Sequence, residues 1–256
     1  MPVLSLLPLI AAAAASAPID STWLDVESRI QYAYYTEDER TLKALASQSA
    51  AAASPPDGMG SYYSGLADYR LTQLESSKDK SSARDGADGC VSSLERAAKA
   101  ANEAAEAHAG GLGKLRGDVL ALQSACLRLR ADLSPLHAPF DGPKSRSLLE
   151  KALLLAPRSP RVLFLDAVGA YEHAPNGADR DRALGKIKTA IAALESERQD
   201  IVHVPGWGLA DAYTYLGRVY LDRGDTVAAR DALEHALLAA PEFTQARRLM
   251  TKITSG

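Results

Sequence analysis

Apolar residues recur at spacings of three and four along most of this chain, the period of a helix with one buried face. In "GKLRGDVLALQSACLRLRADL", Leu115, Val119, Leu122 and Cys126 share such a face. Leu216 and Tyr220 are four apart, and Ala229, Leu233 and Ala236 continue the pattern in the next segment. Between Ser21 and about Ala53 the apolar positions Trp23, Ile30, Leu42 and Leu45 predict an opening helical hairpin. Phe243, Ala246 and Met250 face inward on a final helix whose other side carries Arg247, Arg248 and Lys252. Alternating β-branched runs are almost absent, and Ala, Leu, Arg and Glu dominate from Ser61 onward, so propensity agrees with period. The pattern predicts an all-α protein. Three polar stretches interrupt it and read as loops: "ESSKDKSSARDGADG", "SPLHAPFDGPKS" and "HAPNGADRD".

One segment is more specific. Tyr213, Leu216, Gly217 and Tyr220 stand in the spacing aromatic-x2-Leu-Gly-x2-Tyr, followed by Ala229, Leu233, Ala236 and a closing Pro241. Gly217 lets a second helix approach closely, Gly224 in "DRGD" suits a left-handed turn, and the alanines keep the seam shallow. This stretch, clearest over 210–243, resembles the tetratricopeptide repeat, a hairpin of two helices over about 34 residues. Such hairpins need stacked neighbours to bury their apolar faces. Weaker relatives are present. Phe164, Ala167, Val168 and Tyr171 with Ala183, Ile187 and Ala190 form one; Tyr62, Gly65, Leu66 and Tyr69 with Cys90, Leu94 and Ala97 form another; Leu149, Ala152 and Pro157 end a third. The corresponding alanines do not recur at one interval, which predicts an irregular α-solenoid closed by a C-terminal covering helix.

The N-terminal "MPVLSLLPLIAAAAASA" changes the expected location. It is uncharged, apolar and ends in Ala15-Ser16-Ala17, a small-x-small pattern accepted by signal peptidases, so residues 1–17 read as an export signal and 18–256 as the helical domain. Export would place the protein in the periplasm or outside the cell. No later run approaches the length of a membrane span. The 29 basic and 32 acidic residues give a net charge of −3 and are mixed along the sequence, which offers nucleic acid no basic stripe.

Candidate chemistry is sparse. The five histidines, His108, His137, His173, His203 and His235, show no metal-ligand spacing, and no nucleophile motif, phosphate loop or dinucleotide fingerprint appears. No enzyme activity, metal or cofactor is expected. Cys90 falls at a small-residue position of the repeat, and Cys126 lies on the helix of Leu115, Val119 and Leu122, which reads as inserted between units or extending one. A chain reversal at Asn102, or at Gly110 to Gly113, leaves them at unequal distances from the turn. At about 1.5 Å of rise per residue the offset predicts buried free thiols.

The resemblance implies a concave groove lined by the first helix of each hairpin, which takes up a peptide or helix of another protein. Carried over position by position, it assigns partner-binding roles to Asp211, Thr214, Arg218 and Asp222 in the last unit. Glu172 and His173 take that role in the preceding unit and Arg70 in the earlier one. The alternative is a small-ligand-binding or transport-accessory protein whose groove closes into a pocket around Tyr62, Tyr63, Phe164 and Tyr171.

Overall fold

The computed structural model describes residues 19–52, 58–107, 113–198 and 205–254; the predicted signal segment lies outside them. Eleven α-helices account for the regular structure of the described residues: α1 Ile19–Tyr35, α2 Glu39–Ala51, α3 Met59–Glu75, α4 Lys80–Ala107, α5 Gly113–Leu133, α6 Ala138–Leu155, α7 Pro160–Glu172, α8 Gly177–Arg198, α9 Leu209–Asp222, α10 Thr226–Ala239 and α11 Thr244–Thr254. Each helix packs on the next in sequence. In addition α1 touches α3, α3 touches α5, α5 touches α7 and α9 touches α11. The odd-numbered helices therefore form an inner layer and the even-numbered ones an outer layer, a solenoid-like array as the periodicity predicts.

Close approach at glycine fixes the hairpins. A Cβ on Gly217 would lie 2.7 Å from Cγ of Leu233 on α10, and one on Gly65 would lie 2.6 Å from the same atom of Leu94 on α4. Leu233 and Leu94 are both fully buried, so the two hairpins use one device although the sequence order around the two glycines differs. Gly224 has a φ of 76° in the α9–α10 turn, and Asp225 caps α10 by accepting from the Ala228 N–H at 3.0 Å.

The three polar stretches are helical over most of their length, contrary to the sequence expectation. In the first, Asp79 accepts from the Ser81 N–H at 2.9 Å and starts α4 only four residues beyond α3. The small residues that make the stretch look like a loop bring α4 close to α3, since a Cβ on Gly86 would meet Thr72 Oγ1 at 2.7 Å. In the second, Asp141 and Ser145 are four apart and buried. Arg130 donates to Asp141 at 2.7 and 2.9 Å, and Ser145 donates to the Ser124 carbonyl at 2.9 Å, so α5 holds this segment helical. Pro143 then costs little, because the carbonyl it leaves without a helical donor, that of Pro139, is on an exposed turn. In the third, Asn176 accepts from the Asp179 N–H at 3.0 Å and begins α8.

The cysteines also depart from expectation. Cys90 and Cys126 form a disulfide between α4 and α5, with Cα atoms 6.0 Å apart. The prediction of free thiols assumed that the two helices end level at their turn. About one more turn of helix separates Cys90 from the end of α4 than separates Cys126 from the start of α5, so α4 overhangs and the cysteines come level.

Asp68 on α3 packs on the same small-residue surface: a Cβ on Gly89 would lie 2.8 Å from its Oδ2. Burial pushes its carboxyl up to about 7, with Arg96 opposing. The unfolded carboxyl titrates near 3.9. Between those values the folded chain keeps a proton that the unfolded chain has lost, so stability falls as pH rises through this window and levels off above it. Asp68→Asn is expected to raise the urea midpoint at pH 8 more than at pH 5. Equal shifts at both would rule out this titration.

Candidate functional site

The inner layer surrounds a cavity of about 560 Å³. Every odd-numbered helix contributes to its lining. Tyr34 comes from α1, Arg70 from α3, Arg128 from α5, Phe164 from α7, Thr214 from α9 and Arg248 from α11. Phe164, Val168 and Leu129 supply an apolar wall, while charged residues occupy the floor and the mouth.

On the floor, Arg70 is 1% exposed and its Nη1 lies 2.8 Å from Oδ1 of Asp211, itself buried. The contact is charge against charge rather than an aligned hydrogen bond, for Oδ1 has no hydrogen-bond donor in line and neither does Arg70 Nε have an acceptor. The guanidinium donates instead to Gln73 at 3.1 Å and Gln31 at 3.3 Å, and lies 4.3 Å from the ring centre of Tyr34 and 5.0 Å from that of Trp207. Tyr35 donates to Oδ2 of Asp211 at 3.3 Å. These contacts join α1 and α3 to α9, bringing the two ends of the array together. Tyr34 and Tyr35 pack on Phe243, and Arg248 of α11 pairs with Glu37 in the α1–α2 turn.

A second buried network ties down the segment Pro205 to Gly208, of which Pro205, Trp207 and Gly208 are buried. Trp207 donates its indole N–H to the Tyr62 hydroxyl at 2.9 Å, and the Gly206 N–H donates to both carboxylate oxygens of Glu27 at 2.9 and 3.1 Å. Arg161, with no exposed surface, donates to the Trp207 carbonyl at 3.3 Å, to Asp118 at 3.2 Å and to Glu197. Ser159 donates to the other oxygen of Asp118. Burial pushes the carboxyls of both Glu27 and Asp118 upward against the hydrogen bonds and the Arg161 charge that favour their ionised forms. Every guanidinium nitrogen of Arg161 has an acceptor and the side chain has no exposed surface, so this cluster is a structural brace.

Of the seven residues predicted to meet a partner, Arg70, Glu172, His173, Asp211, Thr214 and Arg218 line this one cavity. Asp222 does not, and lies beside a separate shallow depression with Tyr171 and Arg223. Arg70, Asp211 and Thr214 are buried rather than spread over an open groove, whereas Arg218 and Glu172 stand at the mouth, paired at 3.2 Å. Arg218 also lies 4.4 Å from the centre of the Tyr215 ring; it stacks there and leaves the Tyr215 hydroxyl without a hydrogen bond in good geometry. A pocket around Tyr62 and Tyr63 does not exist, since both rings have no exposed surface and Tyr63 stacks on Trp23 at 5.5 Å. Phe164 alone of the four alternative residues lines the cavity. Arg128 was missed because α5 reads as an insertion between repeats, and nothing in its own sequence shows that it belongs to the inner layer.

Among the described residues no group of three or more His, Cys, Asp and Glu could hold a metal ion. No helix among them is long and apolar enough to cross a membrane. No protein-family model matches this sequence, and no curated protein matches it.

Proposed function

We propose that this chain is a non-enzymatic binding protein of the cell envelope, built from tetratricopeptide-like hairpins, which holds a small ligand or a short extended segment of a partner protein in the inner cavity. The observation that carries this reading is the closure of the array. Arg70–Asp211, Tyr35–Asp211 and Arg248–Glu37 tie its first helices to its last, and the concave side becomes an enclosure of about 560 Å³. That volume is in the range of small-molecule sites. A helix with its side chains is about 10–12 Å across and would have to part these contacts to lie along the inner layer. An envelope location is supported by the N-terminal apolar segment and by the Cys90–Cys126 disulfide, since such bonds persist in oxidising compartments.

Val168 is partly exposed on the cavity wall, so Val168→Phe should fill the space without disturbing buried packing. Native mass spectrometry of protein purified from its own envelope should show a bound species that Val168→Phe loses while its circular dichroism stays that of the wild type. A bound species indifferent to Val168→Phe would move the site elsewhere, and the absence of any from the wild type would count against the cavity reading.

A further inference from the structure

Of the five Arg and Lys side chains that line the cavity, all but one face a carboxylate. Arg70 faces Asp211 at 2.8 Å, Arg218 faces Glu172 at 3.2 Å, Arg248 faces Glu37, and Lys78 faces Glu39 at 2.8 Å. Arg128, partly buried in the wall, has no carboxylate within ion-pair distance among the described residues. Its Nη2 donates to the Leu165 carbonyl at 3.2 Å and its Nη1 to the Ser124 hydroxyl at 3.4 Å, both neutral acceptors. Asp132, one turn further along α5, also lines the cavity but is exposed at the rim and does not pair with it. Room for the guanidinium comes from α7, where a Cβ on Gly169 would lie 2.9 Å from Nη1 and 3.1 Å from Cζ. Two neighbouring helices thus hold a cation in place without neutralising it.

From this we infer that the cavity binds the carboxylate of an amphiphilic organic acid, with Arg128 as its anchor and the Phe164, Val168 and Leu129 wall taking the apolar body. The inference rests on the cavity reading above. A planar guanidinium matches a carboxylate or a phosphate in two parallel hydrogen bonds. One uncompensated positive charge beside an apolar wall suits a monoanion; a phosphate, with close to two negative charges, would leave one unpaired in a partly desolvated site. The carboxylate can belong to a free acid or to an acidic side chain of a short protein segment, and the chemistry at Arg128 is the same for both.

Saturation-transfer NMR on the full chain tests this with hexanoate and benzoate, the neutral hexanamide and benzamide, inorganic phosphate, and a capped peptide amide with a single glutamate. Millimolar hexanoate or benzoate should bind, the amides should bind more weakly, and Arg128→Gln should weaken the acids about tenfold to hundredfold, as for loss of one charged hydrogen-bonding partner. Arg128→Lys should restore part of that loss, and thermal denaturation of both variants checks that each is folded. Binding by the glutamate peptide in place of the free acids would keep Arg128 as the anchor and assign the carboxylate to a protein segment. Phosphate binding as tightly as the acids, acid binding unchanged in Arg128→Gln, or no carboxylate bound at all would overturn the inference. The cavity reading survives that last result if the amides still bind in a manner that Val168→Phe abolishes, and falls with it if they do not.

Discussion

Arg161→Met is expected to lower the free energy of unfolding by about 3–5 kcal/mol, the usual cost of removing one partner from a buried ion pair. Methionine is unbranched and fills much of the same space, so the loss should come from the charges left behind. Asp118, without exposed surface, would keep only the Ser159 hydroxyl, whereas Glu197 would still have Lys114 at 2.6 Å. The penalty therefore falls mainly on Asp118. Without Arg161 the folded-state pKa of Asp118, already pushed up by burial, should rise further. A raised carboxyl pKa costs stability above that pKa and costs nothing below the unfolded value, so the deficit of the variant should shrink as the pH falls. Adding Asp118→Asn to Arg161→Met removes the orphaned charge and should recover part of the loss. Urea denaturation of both single variants and the double one forms the cycle that measures the coupling. Independent, additive effects would mean that Arg161 braces Trp207 without depending on Asp118.

The period of the apolar positions made the helices and the hairpins around Gly217 and Gly65 legible, because burial of one face is a local pattern. Helix starts within polar sequence were less visible. The segment after Ser134 looks like a loop until Asp141 and Ser145 are seen facing Arg130 and Ser124 on α5, and the segment after Asp79 until its small residues are seen packed on α3. The disulfide was misread for a related reason: its geometry depends on how far α4 overhangs α5, and residue counts from an assumed turn do not carry that offset. At the site, repeat positions brought six residues into one cavity, yet they did not show that Arg70 and Asp211 would be buried against each other. That pairing follows from closure of the array, which sets α3 beside α9 although the two are far apart in sequence. Arg128 belongs to the same class, since its lack of a carboxylate is a property of all the helices around the cavity together.

Closure itself has a direct test in Asp211→Asn, which keeps the shape of the side chain and removes its charge. Arg70 is 1% exposed and would lose the one carboxylate facing it, so the loss of stability is expected near the lower end of about 3–5 kcal/mol. The lower end follows because Tyr34 and Trp207 still face the guanidinium, and such contacts contribute about 0.5–2 kcal/mol each to a desolvated cation. Arg218→Gln at the mouth removes a pair whose side chains are 41% and 42% exposed, and should cost less than about 1 kcal/mol. Raising the salt concentration should narrow the effect at Arg218 and leave that at Asp211 nearly unchanged, because ions screen exposed pairs far more than buried ones. The two substitutions should also differ in where they act. If Asp211 joins the ends of the array, Asp211→Asn should speed amide exchange in α1 and α9 before it affects the outer helix α4, which packs on α3 and α5. A uniform increase across all helices would mean that the pair supports the whole core and that the closed cavity does not depend on it, whereas wild-type exchange with wild-type stability would mean that the first and last helices are held together by the packing of Tyr34 and Tyr35 on Phe243 and by the Arg248–Glu37 pair.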